Sequence, residues 1–213
     1  MERHDIVRWL VLAGIVAGIS FVLVSTIEAF TRPGFDLKRH AISMLSLGDR
    51  GWVMVATFIV SGLLTLLCAI GLRYAGPGGS VELWGPLLIG IYGAGLILAG
   101  AFPAPAGLGF PPGTPDDLVP VMDTGAKLHS VGFVMAFSAL IVACFIFAAG
   151  FWQAGLTGWA ALSIAAGLAM PALIASGMSG KIAPGIAFYI AAALAWLWLG
   201  GVVWQRTGQI VPY

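Results

Sequence analysis

Charged residues are scarce in this sequence. Of its 213 residues, 9% are Asp, Glu, Lys or Arg and 60% are hydrophobic, whereas soluble domains carry about 25% charged residues. This scarcity excludes an ordinary water-soluble domain. The formal net charge is +1 and no basic tract occurs, so the chain also lacks the charge pattern of a nucleic-acid-binding protein.

Cysteine is rare as well. Cys68 and Cys144 are the two cysteines, and they lie far apart without the paired spacing of a metal-binding or redox motif. Each falls within an apolar run, where a thiol usually packs as a small apolar side chain. The cysteines therefore indicate no metal or redox centre, and the residues specify no cofactor.

Long apolar runs dominate the rest of the chain. A membrane-spanning helix needs about 20 predominantly apolar residues, and such helices satisfy their own backbone hydrogen bonds within lipid. Runs of this kind occur at residues 7–30, 52–74, 83–103, 127–151, 158–180 and 185–205. We therefore predict an all-α integral membrane protein, with a single transmembrane domain over residues 1–213 that forms a bundle of about six helices.

The two long polar connections, residues 28–51 and 103–127, must lie on the same face of a six-span bundle. A count of Arg and Lys on the two faces favours the long loops in the cytoplasm. We nevertheless predict cytoplasmic N- and C-termini in a cell (inner) membrane, because the cations of the first loop lie among acidic residues and are expected to serve a site.

The first long loop contains the stretch "RPGFDLKRHAISMLSLG", residues 32–48. Asp36 suits a helix N-cap, Gly48 suits a helix end, and the apolar residues between them recur at spacings of three and four. We predict a short amphipathic interfacial helix over residues 36–47, which lies at the interface or dips into the bundle with its apolar side toward lipid or protein. Its polar face would present Asp36, Arg39, His40 and Ser43.

Two interpretations of this helix remain open. In the first it anchors the protein, with its cations reaching lipid headgroups and His40 in solvent. In the second His40 is a ligand, a proton carrier or a general base, because imidazole changes charge near neutral pH.

The functional interpretation requires partners on the same membrane face. Asp123 and His129 lie at the start of the fourth span. Glu28 ends the first span, where an ionisable group is costly. The candidate catalytic residues are His40, His129, Asp123 and Ser43. The candidate metal ligands are His40, His129 and Asp123, although no HxxxH or HExxH spacing supports them. The candidate ligand-binding residues are Asp36, Lys38, Arg39, Glu28 and Lys127.

Four stretches together resemble a known family of prokaryotic multi-pass membrane proteins, domain of unknown function 998 (DUF998). They are "RPGFDLKRHAISMLSLG", "YGAGLILAGAFPAP", "GFPPGTP" and "KLHSVGFVMAFSALIVACFIFA", and they extend from Arg32 to about Phe151. The resemblance implies a bundle of about six helices, and it implies that His40, Ser43 and His129 match recurring positions. It implies no established activity.

One position departs from the family pattern. Where the family is expected to read "FPAD", this chain has Pro105 in place of the acid. Asp116, Asp117 or Asp123 would then substitute for the missing carboxylate, or the chemistry has been lost.

Three functions of different classes fit the sequence. We favour a binding or accessory subunit that holds a lipid, a pigment or a protein partner between its helices, because no specific catalytic spacing occurs. Its partners would be membrane lipids and a protein of a membrane complex, without nucleic acid. The alternative is a membrane-embedded hydrolase or transferase acting on a lipid through a His/carboxylate site, with or without metal. A second alternative is electron transfer through a b-type haem held by His40 and His129.

Overall fold

Six long helices make up the computed structural model, which describes residues 3–76 and 78–208. The helices are α1 Arg3–Thr31, α2 Gly51–Ala75, α3 Ser80–Ala101, α4 Thr124–Gln153, α5 Thr157–Met178 and α6 Pro184–Thr207. Each is long and apolar enough to cross a membrane, which confirms the predicted multi-pass bundle. The largest difference in bounds is at the start of α1, predicted at residue 7 and observed at residue 3. Residues 1–2, 77 and 209–213 of the predicted domain lie outside the described residues.

The helices form a closed ring. Each packs against its neighbour in sequence, and α6 returns to pack against α1. Because consecutive spans alternate in direction, the two long connections, loop 1 (residues 32–50) and loop 2 (residues 102–123), lie on one face, here called the long-loop face. The short connection at residues 179–183 lies on this face as well, whereas the α2–α3 connection and residues 154–156 lie on the opposite, short-loop face.

Close backbone packing holds neighbouring helices together. Where α3 crosses α4, a Cβ added to Gly132 would lie 2.8 Å from both the amide nitrogen of Ala99 and the carbonyl oxygen of Gly95. Between α5 and α6, the indole N–H of Trp198 donates a hydrogen bond of 3.0 Å to the Ser163 hydroxyl. Lipid tails give apolar helices little reason to associate, so such close approaches and occasional hydrogen bonds supply the packing energy.

Loop 1 differs from the helix predicted over residues 36–47, and that prediction is wrong in its extent. A single turn runs from Asp36 to His40, Ala41 is extended with φ −67° and ψ 147°, and a 3-10 helix occupies only Ile42–Ser46. The Asp36 carboxylate accepts the Lys38 N–H at 2.8 Å, while the Asp36 N–H donates to His40 Nδ1. Side-chain bonds of this kind compete with helix formation.

Of the two placements expected for this segment, at the interface or dipping into the bundle, the structure shows the second. Met44 and Leu45 are buried in the core of the bundle. A Cβ on Gly185, at the start of α6, would lie 2.2 Å from the carbonyl oxygens of Leu37 and His40. The apolar residues of loop 1 therefore pack against protein, at the end of the ring.

Candidate functional site

Charged residues at the end of α1 form a clamp of Glu28, Arg32 and Arg50, in which Glu28 and Arg32 are buried and Arg50 is half-exposed. The Glu28 carboxylate is 3% exposed and pairs with both guanidinium groups; the Arg32 Nε–H donates to Glu28 Oε2 at 3.0 Å. Arg32 also donates to the carbonyl oxygens of Leu47 at 2.9 Å and Arg50 at 2.8 Å. Glu28, predicted to bind a ligand, thus ties the end of loop 1 to α1, and its oxygens are already used by two cations.

His40 occupies a second fully satisfied position. Its side chain is 1% exposed and packs between Phe35 and Phe110, with both ring centroids 5.4 Å away. Its Nδ1 accepts the Asp36 N–H at 2.9 Å, and its Nε2–H donates to the Leu108 carbonyl at 2.9 Å. The Nδ1 bond thus closes a turn within loop 1, the Nε2 bond joins loop 1 to loop 2, and neither nitrogen is left to bind haem iron or another metal.

The remaining charged candidates lie at the surface of the long-loop face. Arg39 pairs with Asp116 of loop 2 at 3.1 Å, and Lys38 and Lys127 are exposed. Asp123 caps α4 by accepting the Ala126 N–H at 2.8 Å. None of these residues lines the cavity described next, and exposed Asp117 does not line it either, so no carboxylate there replaces the acid missing at Pro105.

A cavity of about 270 Å³ lies inside the ring, below the 3-10 helix. Its lining comes mainly from α3, α4 and α6, with Ala41, Ile42 and Ser43 closing the end nearest the loops. The walls are mostly aromatic or small, and no Asp, Glu, Lys or Arg is among the described residues that line it. Met178, at 77% exposed, marks its rim near the end of α5. Such a concave, largely apolar space with a few polar groups is typical of a ligand site.

His129 contributes an imidazole to this wall. Its Nδ1–H donates to the carbonyl oxygens of Ala99 at 2.9 Å and Phe102 at 2.8 Å, at the end of α3. These two acceptors fix the proton of the neutral imidazole on Nδ1, so Nε2 carries a lone pair. Nε2 has no partner among the described residues, although the side chain is only 8% exposed.

The structure thus separates the predicted site residues into two groups. Ser43 and His129 line the same cavity, whereas His40 lies among the loops outside it. Among the residues described, no group of three or more His, Cys, Asp or Glu side chains is arranged to hold a metal ion. The proposed metal set of His40, His129 and Asp123 therefore gains no geometric support.

Sequence reasoning missed several residues of these sites. Arg32 follows Glu28 by four residues, a spacing that signals a helical ion pair, but Arg50 reaches Glu28 only through the fold of loop 1. Tyr92 and Trp196, aromatic residues in the middle of α3 and α6, also line the cavity. Nothing in a uniformly apolar span marks such residues in advance.

The six spans and their ring define a multi-pass membrane protein with an internal, uncharged cavity. The family described as "Protein of unknown function (DUF998)" matches residues 15–205, which is most of the chain. The chain belongs to this family. No curated protein and no solved structure matches it.

Proposed function

We propose that this protein is a binding or accessory protein that holds a lipid-type ligand of the membrane in the cavity below the 3-10 helix. The observation that carries the proposal is an apolar cavity, inside a membrane-spanning ring, with an unpartnered nitrogen of His129 in its wall. An apolar pocket with few polar groups favours a molecule that partitions into lipid. The exposed rim at Met178 offers such a molecule a route from the bilayer.

Filling the cavity tests this proposal. Ala192 lines it, and Ala192→Leu adds three carbon atoms to the space without removing any polar group. We expect native mass spectrometry of detergent-purified protein to show a bound lipid-type ligand on the natural chain and at least about tenfold less on Ala192→Leu. The matched control is Ala172→Leu on the exposed side of α5, which should carry the natural amount. Equal loading of all three proteins, or none on the natural chain, would overturn the proposal.

A second candidate is a hydrolase or transferase acting on a lipid ester, and it rests on the presence of Ser43 and His129 in one cavity. A serine hydroxyl becomes a nucleophile when a neighbouring base accepts its proton, and His129 Nε2 carries a free lone pair. A fluorophosphonate probe should then label the natural protein at Ser43 and leave Ser43→Ala unlabelled. Absence of labelling at Ser43 argues for binding without catalysis.

We propose an inner-membrane location with cytoplasmic termini. Three cations of loop 1 form ion pairs with carboxylates, namely Arg32, Arg39 and Arg50. Because these cations have a structural role, their number in loop 1 does not by itself indicate which side of the membrane the loop faces. Both natural cysteines are buried. A membrane-impermeant maleimide applied to intact cells should label Asp49→Cys and spare Gly155→Cys; the reverse pattern would place the long loops inside.

A protein partner in the same membrane is part of the accessory role. Purification in a mild detergent should then retain a stoichiometric second chain. A homogeneous single chain with bound lipid would restrict the role to ligand binding.

A further inference from the structure

We infer that the ligand of this cavity is an uncharged lipid alcohol, whose hydroxyl group donates a hydrogen bond to His129 Nε2. The inference rests on the proposed function, because it specifies the head group of the ligand that the cavity is proposed to hold. It assigns a chemical class of ligand from the groups in the wall.

The first argument comes from charge. No cation is among the described residues that line the cavity, and the buried guanidinium of Arg32 nearby already pairs with Glu28. A carboxylate or phosphate drawn into this space would lose its hydration without gaining a counter-ion, which is prohibitively costly. The walls therefore select against anionic lipids and fatty acids.

The second argument comes from hydrogen-bonding capacity. Because the carbonyls of Ala99 and Phe102 fix the His129 proton on Nδ1, Nε2 is available as an acceptor and needs a donor from the ligand. A hydrocarbon, an ether or an ester offers no donor and would leave this nitrogen unpaired inside lipid. An unmade bond of this kind costs roughly 1–3 kcal/mol in a buried site.

Size limits how much of the ligand enters. The volume of about 270 Å³ is just below the roughly 300–1,000 Å³ of pockets that enclose drug-sized molecules. It suits the hydroxyl end and first part of one chain, with the remainder leaving past Met178 into the bilayer. A single-chain alcohol fits this description better than a bulky polar headgroup.

Three probes with the same chain length separate the possible head groups. Decanol, decanoate and decane are offered to the delipidated full-length protein, and binding is measured by native mass spectrometry at a pH where decanoate is ionised. We expect decanol to bind about three- to tenfold more tightly than decane, the worth of one neutral hydrogen bond, and decanoate to bind least.

A variant at His129 identifies the acceptor. His129→Asn keeps an amide donor for the Ala99 and Phe102 carbonyls and removes Nε2, so decanol and decane should bind it equally. His129→Gln extends an amide oxygen toward the Nε2 position and should keep part of the preference. If His129→Asn does not fold, the ranking of the three probes on the natural protein still decides the matter.

The outcomes separate this inference from the proposed function. Decanoate binding as tightly as decanol, or decane binding as tightly as decanol, would overturn the alcohol assignment while leaving a ligand-binding cavity in place. Failure of all three probes to bind the natural protein would overturn the proposed function and the inference together.

Discussion

His40 and His129 are both buried on the long-loop side of the bundle, but their surroundings differ in one respect. Both nitrogens of His40 bond to backbone groups, one within loop 1 and one in loop 2. His129 uses one nitrogen for the end of α3 and keeps the other beside a cavity. The two residues are of the same type and both are buried. His129 differs in that its Nε2 makes no hydrogen bond to the described residues, and this free nitrogen makes His129 a candidate site residue and His40 a structural one.

The same contrast extends to the regions around them. In the loop region, the clamp of Glu28, Arg32 and Arg50 and the His40 join use their polar groups internally. In the cavity wall, Nε2 of His129 has no partner among the residues described. We therefore expect substitutions in the loop region to change stability, and substitutions in the cavity to change binding.

The largest expected effect is on the clamp. Glu28→Gln leaves the buried guanidinium of Arg32 without a counter-ion, and loss of one member of a buried pair costs about 3–5 kcal/mol. We expect about 3 kcal/mol less free energy of unfolding, since Arg50 is half-exposed and partly hydrated. Denaturant unfolding in detergent micelles measures it. Asp49→Asn, at an exposed loop position, is the control, and equal stability of the two variants would contradict a structural role for the clamp.

His40→Ala should have the next largest effect. It leaves the Asp36 N–H and the Leu108 carbonyl without partners and opens a gap between Phe35 and Phe110. We expect a loss of about 2 kcal/mol in the free energy of unfolding, with unchanged decanol affinity for the folded protein. A variant that folds normally but no longer binds decanol would show instead that His40 belongs to the site.

At His129 the comparison reverses, because binding changes more than stability. His129→Phe removes the donor to the carbonyls of Ala99 and Phe102 and should cost about 1 kcal/mol of unfolding free energy. His129→Asn, which retains a donor, should cost less than half as much. Thermal and denaturant unfolding of the two variants give this difference, and a larger loss for His129→Asn would show that its amide does not reach the carbonyls.

The smallest effect is expected at Arg39. Its side chain is 45% exposed and that of its partner Asp116 is 84% exposed, so water and salt screen the pair. Arg39→Ala should change the free energy of unfolding by less than about 1 kcal/mol. Comparison at low and high ionic strength checks the assignment, because the difference between Arg39→Ala and the natural chain should shrink as salt is added.

The spans were predictable because a hydrocarbon solvent imposes both their length and their apolar composition. The grouping of Ser43 with His129 on one face of the membrane was also predictable, from the number of spans between them. Both residues line the cavity. The apolar runs and their number therefore predict the spans and the shared membrane face, whereas the cavity is evident only in the folded structure.

The structure of loop 1 was not predictable from its periodicity. Its apolar residues are spaced as in a helix, yet the Asp36 turn and the extended Ala41 interrupt it. The contacts that hold this arrangement reach Leu108 and Phe110 of loop 2, more than sixty residues along the chain. A pattern read within one loop contains no information about a bond to another, so the pairing of His40 and the role of Glu28 with Arg50 could only come from the fold.

The clamp and the His40 join have a practical consequence for placing tags. Length usually favours long loops for inserted sequences, provided that their backbone is free. In loop 1 the carbonyls of Leu47 and Arg50 are bonded to Arg32, and in loop 2 the carbonyl of Leu108 is bonded to His40. An epitope or fluorescent reporter inserted into either long loop would break these bonds, so both loops should be left intact when this protein is tagged.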